Sequence, residues 1–196
     1  GNIVRISQGV NDTGFDRWAH QRDRKIKRSA PPPTASSEYL PEPAVQQMDE
    51  HGTWINDPEY GWVWRPDQVS HGWAPYRDGK WVHRPAWGWT WVSYEPWGYY
   101  PYHHGRWVVG GHGHWVWVPV HVRRVWSPAL VFSIEGPDFY AWHPIPVGVS
   151  FSMVAHLGPH VIVDRYCYPH YITVVHHDHF HHGHYQHYHQ HWSHYS

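Results

Sequence analysis

Gly52-Thr-Trp-Ile55, Gly79-Lys-Trp-Val82 and Gly105-Arg-Trp-Val108 open three near-copies of one unit, which Trp62-Val-Trp64, Trp89-Thr-Trp91 and Trp115-Val-Trp117 close. The openings recur at intervals of 27 and then 26 residues, so the repeat slips by a single position. Self-similarity at a fixed period marks repeated supersecondary units. In a strand, Trp-x-Trp puts both indoles on one face, because side chains alternate with period two. Trp87, Trp89 and Trp91 extend this to three same-face indoles in the middle unit, which a helix would scatter around its circumference. Turn formers separate the halves of each unit: Asn56-Asp-Pro58, Arg84-Pro-Ala86 and Gly110-Gly111. Each unit therefore reads as a β-hairpin. A lone hairpin is marginal in water, so the three are expected to combine into a meander or small barrel. The fold class is mainly β.

Composition narrows the field. The chain has 196 residues, room for one ordinary domain with appendages. Leu is scarce while Trp, Tyr, His, Pro and Gly abound, which argues against a helical bundle. The net charge of −1 with neutral histidines lacks the basic balance of a nucleic-acid-binding chain. Cys167 is the single cysteine, so a disulfide framework, a cysteine zinc site and a Cys-x-x-Cys-His haem attachment within the chain are excluded. No apolar run is long enough to span a bilayer as a helix. The chain begins at Gly1, which reads as a fragment or a processed product.

Five segments follow from the patterning. Residues 1–30 read as a short strand and a basic helix arm, with Thr13-Gly-Phe-Asp16 as its cap. Arg22, Arg24, Lys25, Lys27 and Arg28 crowd the far half of that helix. They either complement the helix dipole or form a docking surface for phosphate, lipid headgroups or an acidic partner. Residues 31–46 are a Pro-rich linker with a helical turn at its end. Residues 47–131 hold the repeats. Residues 132–175 are a β region packed on the repeats; from the end of the third unit onward, where most of the aliphatic side chains sit, short strand candidates lie at 118–122, 129–133, 147–151, 160–163 and 171–175. Residues 176–196 are a tail in which ten of 21 residues are His; such tracts bury little aliphatic surface and stay extended unless a metal, a neighbour or an assembly holds them.

Several stretches are similar to a family of exported, Trp-rich bacterial proteins of unknown function: Phe15-Asp-Arg-Trp-Ala19, Tyr60-Gly-Trp62, Trp73-Ala-Pro-Tyr-Arg-Asp-Gly-Lys-Trp81, Trp87-Gly-Trp-Thr-Trp91, Glu95-Pro-Trp-Gly98 and Ser127-Pro-Ala-Leu-Val131. The resemblance covers residues 1–175. It implies export to the periplasm or cell surface and a FecR-type domain upstream; it brings no enzymatic activity and no catalytic residues. The chain departs from the family pattern at Trp142-His-Pro-Ile145 and in the His/Tyr tail, so a function placed in the tail is not implied by the resemblance.

Chemistry is sparse. Gly-x-Ser-x-Gly, His-Glu-x-x-His and Gly-rich phosphate loops do not occur. Asp57, Asp67, Asp78 and Glu95 sit beside Pro or Gly, where carboxylates serve turn geometry. The Trp faces read first as core filler and second as platforms that stack on glycans. His177, His179, His182, His184, His187, His189 and His191 alternate so that one face of an extended tail presents several imidazoles, a ligand set for zinc, copper or nickel; His112, His114, His103 and His104 are lesser candidates, and axial ligation of a neighbour's haem is a minor variant. The expectation is a non-enzymatic extracytoplasmic scaffold whose partners are other subunits of a larger assembly. The alternatives are a glycan-binding module acting through Trp87, Trp89 and Trp91, and metal capture by the tail. Membrane contact is expected only at the surface, through the basic helix.

Overall fold

The computed structural model describes residues 40–110, 113–119, 126–157, 159–190 and 192. The basic cluster from Arg22 to Arg28, the linker as far as residue 39, His112, residues 120–122 and His191 lie outside the described residues, while the last part of the expected linker is helical from Glu42 onward.

All three units are antiparallel hairpins in one register. A helix, α1 (Glu42–His51), leads into β1 (Gly52–Asp57) and β2 (Gly61–Pro66), which pair Trp54 with Trp64. Strands β3 (Gly79–Arg84) and β4 (Gly88–Ser93) pair Trp81 with Trp91. After a short helix, α2 (Tyr99–His103), strands β5 (Arg106–Val109) and β6 (Trp115–Val118) pair Trp107 with Trp117. The first two hairpins turn through three residues and close on Gly61 and Gly88, both at φ 73, the left-handed position such loops reserve for glycine.

The hairpins do not form one meander. Strand β2 pairs with β6 through Trp64 and Trp117, giving a four-stranded sheet β1-β2-β6-β5, while β3 and β4 stand as a sheet of their own. The first and third units meet edge to edge; the second joins them through side chains. A third antiparallel sheet, β7-β8-β9, comprises β7 (Val131–Glu135), β8 (Phe139–Pro144) and β9 (Thr173–His176).

What fixes each hairpin is the contact between its opening glycine and its closing indole. A Cβ on Gly52 would lie 2.3 Å from the Trp64 ring, one on Gly79 2.5 Å from Trp91, and one on Gly105 2.5 Å from Trp117. Trp64, Trp91 and Trp117 are all fully buried. Two of them also donate their indole N–H to carbonyls just upstream of the hairpin, Trp64 to Met48 at 2.9 Å and Trp117 to His104 at 2.8 Å.

Two strand expectations are corrected. Residues 147–151 turn and then enter a helix, α3 (Phe151–Leu157), and residues 160–163 lie within α4 (Pro159–Tyr166). The physical reason is capping: the Ser150 hydroxyl accepts from the Met153 amide at 3.0 Å, an N-cap bond, and Pro159 opens α4 where its missing N–H costs nothing. Val154, Ile162 and Val163 then bury one helical face with Phe132, Ile134 and Val174.

The tail departs from the extended arm as well. It folds in 3-10 turns at His177–His179 and Tyr185–His187 and returns along β9, where Gln190 N donates to Val174 O at 2.8 Å. Its aromatic residues account for this. Phe180 and Tyr185 enter the Trp core, and Trp192 enters the aliphatic one. Tyr185 packs 4.9 Å from Trp142 and 6.0 Å from Trp91, and Phe180 lies 5.3 Å from Trp89.

Two outcomes are expected in denaturant titrations read by Trp fluorescence. Gly79→Ala lowers stability by about 1–3 kcal/mol, the range for forcing atoms into a packed site, whereas Gly110→Ala, whose added Cβ meets only ordinary contacts, leaves the midpoint within error. Tyr185→Ala costs about 3–5 kcal/mol, as loss of a fully buried aromatic does; an unchanged midpoint would show that the tail is not part of the core.

Candidate functional site

The three indoles of the middle unit have different fates. Trp91 is fully buried among Tyr76, Trp81 and Tyr102, and Trp89 is partly covered by Phe180. Trp87 falls in the β3–β4 turn, outside the alternation of β4, and is 43% exposed. The single-face ladder expected for Trp87, Trp89 and Trp91 is therefore corrected: the turn closed by Gly88 swings Trp87 away from the other two.

Trp87 instead heads an aromatic strip on the surface. Its ring meets Trp126 edge-on at 5.0 Å; Trp126 stacks on His103 at 5.2 Å; His103 lies 5.3 Å from Tyr99, which is 56% exposed. Tyr99 and His103 are one helical turn apart on α2, hence on one face. The segment bearing Trp126 is pinned from both sides, Ser127 N to His103 O at 3.0 Å and Trp91 N to Pro128 O at 3.0 Å. The His103 ring donates Nδ1–H to the Ser127 carbonyl at 2.7 Å. Burial holds its pKa below the usual histidine value against the pull of that carbonyl, and the nearby Arg84 guanidinium acts in the same direction as burial. The strip thus contains an imidazole whose cationic form is disfavoured, held between aromatic rings, with the exposed Arg84 beside it.

Beside the second hairpin lies a half-buried acid that turn chemistry did not announce. Glu95 accepts from the Trp73 indole at 2.8 Å, the Tyr102 hydroxyl at 2.5 Å and the Ser93 hydroxyl at 3.0 Å. Burial pushes its carboxyl up from 4.5 to about 7, outweighing three donors that favour the anion. Next to it, Tyr76 sits at φ 63 and is fully buried. Its hydroxyl donates to Tyr102 O at 2.9 Å and accepts from Leu130 N at 3.1 Å, and its carbonyl receives the Trp142 indole at 2.9 Å. Arg77, buried and lowered by that burial to about 10, reaches Thr173 Oγ1 at 3.1 Å and the Gly72 carbonyl at 3.1 Å. These bonds bind the second hairpin to the rest of the protein.

The tail histidines are largely engaged one by one. His184, at φ 50, places Nδ1 2.8 Å from Asp78 Oδ1 and stacks on Tyr94 at 4.3 Å. His177 lies over Tyr140 at 4.3 Å and His189 Nδ1 donates to Gln186 O at 3.1 Å. His187 is exposed. The extended face that would bring alternate imidazoles together is replaced by turns, and among the described residues no three His, Cys, Asp or Glu side chains gather as a ligand group. One close pair remains: His179 Nδ1 and His182 Nδ1 are 3.4 Å apart. Burial pushes the Cys167 thiol up to about 12, which makes it a poor nucleophile. No helix among the described residues is long and apolar enough to cross a membrane.

Sequence reading singled out Trp87 but missed Tyr99, His103 and Trp126 as its companions, because their proximity is tertiary. It also missed Tyr76 and Arg77, although the connector His71-Gly-Trp-Ala-Pro-Tyr76, which ends on the first and leads into the second, rhymes with Tyr99-Tyr-Pro-Tyr102.

Such an arrangement defines a mainly β domain of Trp-closed hairpins with an aromatic surface strip. Residues 45–149, more than half of the chain, match a family of unknown function (DUF6600), and the chain belongs to that family. No curated protein and no solved structure matches the chain.

Glu95 generates a pH prediction. Below about pH 4.5 the carboxyl is protonated in folded and unfolded chains alike, and its contribution to stability is fully present. As pH rises to about 7 the unfolded chain ionises first, so this contribution is lost, by an amount on the order of 3 kcal/mol. Urea midpoints at pH 5 and 7.5 should therefore fall less with pH in Glu95→Gln than in the wild type; parallel curves would show that Glu95 is ionised throughout.

Proposed function

We propose that this protein is a non-enzymatic interaction domain, a scaffold that engages other protein subunits through the strip of Tyr99, His103, Trp126 and Trp87. The observation that carries the reading is the strip itself: exposed Trp and Tyr beside Arg84, on a support pinned by backbone hydrogen bonds. Trp, Tyr and Arg are the residues that dominate binding energy at protein interfaces, and a rigid support lowers the entropic cost of docking. By the resemblance to exported Trp-rich proteins, its place is outside the bacterial cytoplasm, in the periplasm or at the cell surface, with a FecR-type domain upstream.

Ring angles favour a protein partner over a glycan. Trp87 and Trp126 meet at 72° and Tyr99 and His103 at 56°. A sugar chain is best served by coplanar exposed rings, and the edge-to-face contact of Trp87 with Trp126 presents no such flat platform. The Trp89 and Trp91 faces, which would otherwise suit a sugar, are occupied by Phe180 and Tyr185.

A photo-crosslinking residue in place of Trp87, in the full chain within its bacterial host, is expected to yield protein adducts of discrete mass that disappear when Tyr99→Ala is added. Lys80, exposed on β3, serves as the control position and should give none. Absence of protein adducts, together with quenching of Trp fluorescence by purified cell-wall glycan, would overturn the reading in favour of the glycan module. Trp87→Ala should leave the thermal midpoint within about 0.5 kcal/mol equivalent, as surface changes do.

A further inference from the structure

The histidine tail contains one arrangement that its neighbours do not. We propose that His179 and His182 form a two-imidazole seat for a borderline divalent metal ion, zinc or its chemical relatives nickel and copper, bound through both Nδ1 atoms. This inference is independent of the aromatic strip.

The distance carries the argument. His179 Nδ1 and His182 Nδ1 lie 3.4 Å apart, longer than the roughly 2.9–3.0 Å of a good N–H hydrogen bond. Two nitrogens each about 2.0–2.1 Å from a tetrahedral ion stand about 3.3–3.4 Å apart. The pair is therefore spaced as ligands are spaced. A neutral imidazole offers one lone pair, and it is the commonest metal ligand among side chains.

The seat is also held. The His182 amide donates to the His179 carbonyl at 3.1 Å, closing the turn between them. Tyr188 stacks on the His179 ring at 4.6 Å and 17° and meets the His182 ring at 5.8 Å. Phe180, between the two ligands, is buried in the Trp core. Ordering of the ligands is thus supplied by folding rather than by the ion, which lowers the cost of binding.

Among the described residues no third ligand joins the pair. His176 lies beyond His179 at 6.5 Å between ring centres, with its Nδ1 3.2 Å from Asp178 Oδ2. Neither converges on the pair, so water fills the outer positions. Three other tail imidazoles are committed elsewhere: His184 to Asp78, His177 against Tyr140, His189 to Gln186. Among the eight tail histidines that are described, the geometry brings these two together.

The test titrates zinc chloride into the full chain, read by calorimetry and by long-range proton–nitrogen NMR of the imidazoles. One equivalent should bind, with the Nδ1 resonances of His179 and His182 shifting together. His179→Ala or His182→Ala should each weaken binding by about tenfold or more, since losing a ligand costs at least what losing its supporting partner does. The double variant His181→Ala/His187→Ala, which removes two exposed imidazoles of the same tract, should bind as the wild type does. Equal loss in both sets, or coordination through Nε2 or at other histidines, would overturn the proposal. The wild-type NMR readout decides the matter even if a variant fails to fold, which near-ultraviolet circular dichroism would reveal.

Discussion

An indole packed directly against a glycine is the contact on which the rest of this protein depends. In each unit the second strand carries a Trp whose ring occupies the space that a side chain on the unit's opening glycine would fill. The pairing is stereochemically exclusive: Gly52, Gly79 and Gly105 leave less than 2.6 Å between a notional Cβ and the ring that covers them. It also explains why the repeat keeps Gly and Trp together. A buried Trp contributes a large apolar area, and the missing side chain opposite lets that area sit on the strand instead of standing off it. Three such contacts compensate for a core with little Leu.

Hairpins so built need a way to join, and two routes are used. Edge pairing of β2 with β6 merges the first and third units. The second unit has no such edge contact and is tied in by polar groups buried at its connectors. Glu95 holds Trp73 and Tyr102, which belong to the segments before the second and third units. Tyr76 reaches Tyr102, Leu130 and Trp142, spanning the third sheet as well. Its left-handed backbone is a strained conformation for a bulky residue, and the three bonds and the surrounding rings hold it there. Buried polar groups are costly unless satisfied, so this network specifies the arrangement of the sheets more sharply than apolar contact alone does.

Much of this was legible from residue order. The period of the Trp pairs, the turn formers and the opening glycines give three hairpins in the right places, because hairpin register is a local matter. The association of the units was not legible: which strand edges meet depends on contacts distant in sequence, such as Trp64 with Trp117. Helices α3 and α4 were misread because short apolar runs do not distinguish strand from buried helix; Ser150 and Pro159 were the better guides. The tail misled through its composition. Ten histidines suggest a solvated tract, but Phe180, Tyr185 and Trp192 at wide intervals suffice to dock it. Of the candidate site, Trp87 was visible and its companions were not, since Tyr99, His103 and Trp126 come from three different stretches. Strand β8, Phe139–Pro144, escaped notice because aromatic and small residues there replace the aliphatic ones that mark a central strand.

Covering one aromatic face and exposing another have a common cause. The indoles that close hairpins are committed to glycines, so they cannot turn outward without leaving a strand unsupported. Freedom to meet a partner therefore falls to aromatics outside the repeat's own logic: Trp87 in a turn, Tyr99 on a five-residue helix, Trp126 on a pinned connector. The same division governs the tail, where Phe180 and Tyr185 are committed to the core and the imidazoles between them face outward. Loops carried on a rigid scaffold are where binding residues gather, and here the scaffold is rigid because its Trp residues are already occupied. An arrangement that used the repeat Trp faces for binding would have to uncover Trp89 and Trp91, and with them the contacts that hold the second hairpin in place.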